Sequence, residues 1–242
     1  MTPTDPITAR WVVLDIEGTL MATSQIHVVL YDYARPRLGP WIDEHQDDPR
    51  VMEAVAEVCA EVGLPPDAAT PDVVRVLHTW MDADRKAAPL KTLQGLIWEH
   101  GYACGNLTSE CFPDVVPALR AWREQGLTLA VFSSGSAAGQ IASFAHTTEG
   151  DLRELFTHHF DTVNVGPKRE SESYMAIARR LGASTPGEIM FLSDVPAELD
   201  AAVAAGWRTV GVTRRGEPHA GADFGTHIKV VSFTGLTIEP PR

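Results

Sequence analysis

Two kinds of hydrophobic pattern divide the chain. Short, nearly continuous apolar runs, which are typical of buried strands, alternate with amphipathic segments in the second half of the sequence. The runs are WVVL at 11–14, LTLAVF at 127–132, FDTVNVG at 160–166, EIMFLSD at 188–194 and WRTVGVTR at 207–214. Helical stripes separate the later runs, at 114–126, 171–182 and 196–206. Strands that alternate with helices of this length predict an α/β fold with a doubly wound, parallel, Rossmann-like sheet.

The segment after the first predicted strand has a different pattern, because it contains helical periodicity and no convincing strand. Apolar residues recur every three or four positions in 51–63 and 72–85, and a further helical stretch covers 90–102. We therefore expect an all-helical insertion. The predicted division is an α/β core made of residues 1–21 and 110–242 and a helical domain made of residues 22–109.

The first strand is followed by two acids, Asp15 and Glu17. Residues two apart on a strand point to the same side, so both carboxylates are expected to approach one point at the carboxyl end of the strand. Two converging carboxylates indicate a cation site or an acid/base pair. The alternative is a solvated turn in which Asp15 caps a backbone N–H.

The other strand ends also carry polar residues. Ser133 and Ser134 follow the second run, Lys168 lies just beyond the third, and Asp194 ends the fourth. In a doubly wound sheet the ligand site lies at the carboxyl ends of the strands. Carboxylates, hydroxyls near a helix N-terminus and one ammonium suit a divalent cation beside a phosphate group.

Composition narrows the range of partners. The chain has 20 Lys and Arg against 32 Asp and Glu, and the net charge of −12 argues against a general electrostatic grip on nucleic acid or anionic lipid. The three cysteines lack a C-x-x-C spacing, so neither a disulfide framework nor a zinc site is expected. No apolar run approaches the roughly 18 residues of a membrane helix. We expect a soluble, cytoplasmic protein, and a monomer, with a small-molecule partner.

The strand-end motifs resemble those of a known family. DIEGT at 15–19, SSGS at 133–136, Lys168 and LSDV at 192–195 occur in the order and spacing of the four motifs of haloacid dehalogenase-like phosphohydrolases. The helical block matches the position of their first cap domain. Within that superfamily the chain resembles the enolase-phosphatases of methionine salvage, through YDYARPRL, DRKAAPLKTLQGLIW, HHFDTVNVGPKRESESY and FLSDVPAELDAA.

The resemblance implies a role for each acid at the strand ends. Asp15 would be the nucleophile that attacks phosphorus, and it would also bind Mg²⁺. Glu17 would bind the metal through its backbone carbonyl and serve with its side chain as general acid/base. Asp194 would complete a site for one Mg²⁺ per subunit.

The resemblance also implies a phosphate site and a substrate. Ser133 and Ser134 would hold the phosphate, and Lys168 would contact both the phosphate and Asp15. The substrate would be 2,3-diketo-5-methylthiopentyl-1-phosphate, which is enolised and then dephosphorylated to the acireductone 1,2-dihydroxy-3-keto-5-methylthiopentene. Two alternatives remain open from the residues: a phosphatase of the same fold that acts on another small phosphate ester, and a catalytically silent phosphate-binding protein.

Overall fold

The computed structural model describes residues 7–85 and 87–241, and it divides into two compact units. One unit runs to Thr23 and resumes at Thr108, while the other is Ser24–Leu107. No helix of the described ranges is both long and apolar enough to cross a membrane.

A parallel sheet forms the centre of the first unit. Its six strands lie in the order β4-β3-β2-β5-β6-β7. The strands are β2 (Trp11–Leu14), β3 (Thr128–Ser133), β4 (Phe156–Asp161), β5 (Ile189–Ser193), β6 (Arg208–Val212) and β7 (Ile228–Val230). A separate parallel pair joins β1 (Ile7–Thr8) to β8 (Ile238–Glu239). The predicted doubly wound α/β fold is confirmed.

Helices cover both faces of this sheet: α6 (Val115–Glu124), α7 (Ala137–Ala145), α8 (Ser171–Leu181) and α9 (Pro196–Ala204). Alternate residues of β2 belong to different hydrophobic clusters, because successive strand side chains point to opposite faces. Val12 and Leu14 pack in the cluster that includes residues of α6 and α7, and Val13 packs in the cluster that includes residues of α8 and α9. Each fully buried Val, Leu or Phe contributes about 1.5–3 kcal/mol to folding.

The second unit is helical. Its α-helices are α1 (Tyr31–Ala34), α2 (Leu38–Glu44), α3 (Pro49–Val62), α4 (Thr70–Asp82) and α5 (Ala88–Ala103), and a π-helix covers Gln25–Leu30. The carboxylate of Asp48 caps α3 by accepting a hydrogen bond from the Arg50 N–H, and Gly63 ends the helix with φ +73°. Val51 and Val58 are buried as their spacing predicts, whereas Val62, at the end of the same stripe, is 43 % exposed.

The structure corrects one predicted strand and adds three that were not predicted: β7 in the main sheet, and the pair β1 and β8. FDTVNVG was predicted as a strand, but β4 ends at its second residue, Asp161. The Asp161 carboxylate accepts hydrogen bonds from the N–H groups of Val163 and Asn164, which turns the chain away from the sheet. Strand β7 was not predicted, since a three-residue edge strand gives little hydrophobic pattern.

Candidate active site

The Asp15 side chain lies buried at the carboxyl end of the central strands. Its N–H donates to the Leu192 carbonyl at 3.0 Å, which continues the pairing between β2 and β5 for one residue. Its Oδ1 accepts a hydrogen bond from Lys168 Nζ at 2.5 Å, and the Ser193 hydroxyl lies 3.3 Å from Oδ2. The structure thus brings together Asp15 and Lys168, which are separated by 153 positions in the sequence.

Lys168 has a second carboxylate partner, Glu198. Its Nζ lies 2.7 Å from Glu198 Oε2, and its carbonyl accepts a hydrogen bond from the Tyr174 hydroxyl at 2.7 Å. Burial alone would lower the pKa of the lysine, but the charges of Asp15 and Glu198 outweigh burial and raise it. The ammonium is therefore held in its charged form at one defined point of the rim.

Glu198 was missed by sequence reasoning. Burial, together with the charge of Asp15, raises the pKa of Glu198 to about 7, although the charge of Lys168 acts in the opposite direction. Its Oε2 also accepts a hydrogen bond from the Ser193 hydroxyl at 2.9 Å. Helix α9 begins at Pro196, so Glu198 stands in its first turn, and an acid this close after the strand end was a usable signal.

Asp194 follows β5 and is buried beside Asp15. Burial, and then the charge of Asp15, raise the pKa of Asp194 to about 6. Its Oδ2 lies 3.0 Å from Nδ1 of His219, a residue that the sequence did not single out, while Oδ1 has no hydrogen-bond partner among the described residues. Gly18, at φ +70°, lies so close that a Cβ there would be 2.7 Å from the Asp194 carboxyl carbon.

These observations fit a divalent cation. Two buried carboxylates disfavour each other's charge unless a cation offsets them, and one oxygen of Asp194 lacks a partner. Within residues 7–85 and 87–241 no group of three or more His, Cys, Asp or Glu side chains could hold a metal. Asp15 and Asp194 supply two carboxylates, so further ligands would come from the main chain, water or substrate.

Glu17 lies in the turn that follows Asp15. The residue is half-buried, and the turn is closed by hydrogen bonds from the Gly18 N–H to the Met21 carbonyl and from the Thr19 N–H to the Ile16 carbonyl. Because β2 ends at Leu14, the position of Glu17 depends on this turn, whereas the sequence reasoning treated both acids as strand residues.

Ser133 is the last residue of β3, and Ser134 follows it. Ser133 is buried, and its hydroxyl accepts a hydrogen bond from the Gly135 N–H at 3.1 Å, while Ser134 is exposed. Ser136 caps α7 by accepting a hydrogen bond from the Gly139 N–H. Hydroxyls and main-chain N–H groups before a helix N-terminus suit phosphate oxygens.

Comparisons with known proteins define the class. Residues 9–206 match the family model described as haloacid dehalogenase-like hydrolase, so the chain belongs to that family of hydrolases. Enolase-phosphatase E1 of Saccharopolyspora erythraea is 70 % identical, over 96 % of this chain and 97 % of its own length. Enolase-phosphatase E1 of Streptomyces avermitilis is 53 % identical, over 94 % of each chain.

The chain therefore belongs to the enolase-phosphatase E1 family, and it is an enzyme of the phosphatase class. A solved structure, the UTR4 protein of Saccharomyces cerevisiae, is 26 % identical and superposes with a TM-score of 0.75. The superposition covers 94 % of this chain and all of that one.

Proposed function

We propose that the protein is a Mg²⁺-dependent, bifunctional enolase-phosphatase of methionine salvage. It converts 2,3-diketo-5-methylthiopentyl-1-phosphate to the acireductone 1,2-dihydroxy-3-keto-5-methylthiopentene. The observation that carries the proposal is the buried pair of Asp15 and Lys168 at the carboxyl ends of the central strands. The name of the relatives, enolase-phosphatase, supports the pairing of an enolisation with a dephosphorylation.

Asp15 is the nucleophile in this proposal. One carboxylate oxygen attacks phosphorus, the bond from phosphorus to the ester oxygen breaks, and the leaving oxygen takes a proton from Glu17. Water then attacks phosphorus in the aspartyl-phosphate, Glu17 accepts the proton from that water, and phosphate leaves with Asp15 regenerated. Covalent catalysis of this kind divides one difficult hydrolysis into two easier displacements.

The phosphate group is held by Ser133, Ser134 and Lys168. The buried ammonium, whose pKa is raised by its two carboxylate neighbours, carries a positive charge close to the attacking oxygen. Phosphoryl transfer depends mostly on positioning and on charge stabilisation, so this fixed charge contributes directly to the rate. Removing one such donor commonly reduces kcat by about 10²–10³.

The metal site would be formed by the carboxylates of Asp15 and Asp194 and by the backbone carbonyl of Glu17, for one Mg²⁺ per subunit. When bound, Mg²⁺ would offset the negative charge of the two carboxylates and the phosphate, and it would polarise the diketone oxygens. His219 holds the Asp194 carboxylate through Oδ2. This contact fixes the orientation of the carboxylate and leaves Oδ1 available.

Enolisation requires a base near the carbon that bears the phosphate group. Glu17 is our candidate, since its carboxylate is the acid/base group of the same site and its side chain is only half-buried. Glu17 takes the proton from that carbon, the electron pair moves to the neighbouring carbonyl oxygen, and this oxygen takes a proton from water to give the enol.

We assign residues 1–21 and 110–242 to an α/β phosphohydrolase core and residues 22–109 to a helical cap domain. In the cell we expect a cytoplasmic monomer that binds neither nucleic acid nor membrane.

The test supplies the diketone phosphate under anaerobic conditions with Mg²⁺ and follows enol absorbance and free phosphate separately. Both signals are expected, with the enol signal preceding phosphate. Phosphate release only from other small esters would show that the enzyme is a phosphatase with a different substrate. The absence of both signals with every ester would refute a catalytic role.

A further inference from the structure

Arg214 is a buried arginine for which the proposed mechanism has no use. It lies two residues after β6 and is only 4 % exposed. Its guanidinium carbon lies 4.6 Å from the ring centre of Phe112 and 4.7 Å from that of Phe233, so the planar group is in contact with two aromatic rings. Such packing fixes the position of the guanidinium.

An ion pair fixes the same group further. Nη1 of Arg214 donates to both carboxylate oxygens of Asp114 at 2.7 Å. The carboxylate also accepts hydrogen bonds from the Ser232 hydroxyl at 2.9 Å and the Phe233 N–H at 2.5 Å. Asp114 is therefore held from several sides, and it gives Arg214 a firm anchor.

The remaining donors of Arg214 reach the turn that carries Glu17. Nε and Nη2 donate to the Thr19 carbonyl at 3.2 and 3.1 Å. The hydrogen bonds within the turn end on the carbonyls of Ile16 and Met21, so the arginine binds a separate point of the turn.

The segment that contains Arg214 also binds the chain just after the Glu17 turn. Glu217, three residues after Arg214, accepts a hydrogen bond from the Thr23 N–H at 2.9 Å. The segment after β6 thus binds the chain at two points, Thr19 and Thr23, that follow Glu17 closely.

Asp15 is held by different contacts. Its N–H pairs with β5, and its carboxylate contacts Lys168 and Ser193. Loss of the Arg214 contact should therefore disturb Glu17 much more than it disturbs the nucleophile.

We propose that Arg214 is a positioning residue for proton transfer: it holds the turn at Thr19, and with it the Glu17 carboxylate, in the orientation that protonation of the leaving oxygen needs. This inference rests on the proposed function, because it takes Glu17 as the general acid.

The experiment compares two phosphate esters whose leaving groups differ in their need for a proton. The alkoxide released from propyl phosphate needs one, whereas the nitrophenolate released from p-nitrophenyl phosphate does not. First-turnover cleavage rates are measured for the parent enzyme and for Arg214→Lys at Mg²⁺ concentrations that saturate each protein, so that weaker metal binding through the Glu17 carbonyl does not affect the comparison. The lysine keeps a positive charge beside Asp114 but cannot reproduce the fork of donors that also binds Thr19. Arg215→Lys, at the exposed neighbouring arginine, is the matched control.

We expect Arg214→Lys to cleave propyl phosphate about 10- to 100-fold more slowly, because a misplaced general acid loses part of the typical 10²–10⁴-fold contribution. Cleavage of p-nitrophenyl phosphate should stay within about twofold of the parent, as should both rates of the control. Arg214→Gln combined with Asp114→Asn removes both charges of the ion pair and should show the same selective loss.

Equal losses with both esters, in variants that bind inorganic phosphate normally, would overturn the role of Arg214 while leaving the proposed function intact. Full activity of both Arg214 variants on propyl phosphate would also overturn it. A parent enzyme that releases phosphate from neither of these esters nor from the diketone phosphate would instead refute the proposed function, and the role of Arg214 would fall with it.

Discussion

Replacing Gly18 by alanine should separate backbone strain from damage to the Asp194 carboxylate. Gly18 has φ +70°, where an alanine costs about 1–2 kcal/mol of stability. The added methyl group would also lie 2.7 Å from the carboxyl carbon of Asp194, and 3.3 Å from its Oδ1. These distances are too short for unstrained contact, so the carboxylate must move.

The matched control is Gly182→Ala. Gly182 has nearly the same φ, +67°, lies in the same unit, and has nothing within 4 Å of an added Cβ. Urea unfolding should show that strain lowers the free energy of unfolding of each variant by about 1–2 kcal/mol. Gly18→Ala should lose more, because its added methyl group also displaces the Asp194 carboxylate.

Activity and metal binding should distinguish the two variants. We expect Gly182→Ala to keep the parent kcat, and Gly18→Ala to lose about 10²-fold or more, since a misplacement of about 1 Å in an active site commonly has that effect. Titration calorimetry with Mg²⁺ should show weaker binding for Gly18→Ala alone. If both variants bind Mg²⁺ and turn over equally well, the geometry assigned to Asp194 is wrong.

Three further predictions concern groups near the site or in the sheet. A pKa of Glu198 raised from 4.5 to about 7 makes the parent lose about 3 kcal/mol of unfolding free energy as pH rises through that window, so Glu198→Gln should lessen this loss. The check is urea unfolding at a series of pH values, with the exposed Glu124→Gln as control. The same change of unfolding free energy with pH in all three proteins would contradict the prediction. His219→Ala should weaken Mg²⁺ binding about 10- to 100-fold in calorimetry, through the freed Asp194 carboxylate, and an unchanged Kd would exclude that role. Burial, aided by the charge of His158, lowers the pKa of His159 from 6.5 to about 4, so the stability of the parent should fall as pH drops through that window. After discounting for partial exposure, His159→Gln should remove on the order of 1 kcal/mol of that fall. Melting curves of the variant that follow those of the parent at every pH would refute the lowered pKa of His159.

The sheet could be predicted because its central strands are buried on both faces. The run IMFL at 189–192, for example, is apolar throughout and is followed at once by the polar residues Ser193 and Asp194. Short edge elements lack this signal: β7 contains only Ile228, Lys229 and Val230, with two of the three exposed. Periodicity therefore identified the buried centre of the sheet and not its edge.

The site residues that follow strands could be predicted for the same reason. Asp15, Ser133 and Asp194 stand where apolar runs end, and parallel strands bring their carboxyl ends to one rim. Glu198 could not be found from periodicity, because a helical pattern does not show which polar residue of the first turn faces back toward the strand.

Arg214 illustrates a second limit. Its partners are Asp114, 100 positions earlier, and the Thr19 carbonyl, 195 positions earlier. Neither separation leaves any local pattern in the sequence, and a main-chain acceptor has no side-chain signature. Contacts of this kind appear only once the chain is folded.

The central claim is that Asp15 becomes phosphorylated during turnover. The most direct measurement is mass spectrometry of the acid-quenched enzyme after it has been mixed with the diketone phosphate and Mg²⁺. We expect the peptide containing Asp15 to gain the mass of one phosphoryl group, and Asp15→Asn, which should keep its fold, to form no adduct and release no phosphate. Phosphate release by Asp15→Asn at the parent rate, or rapid turnover by the parent with the modification on another residue, would contradict it.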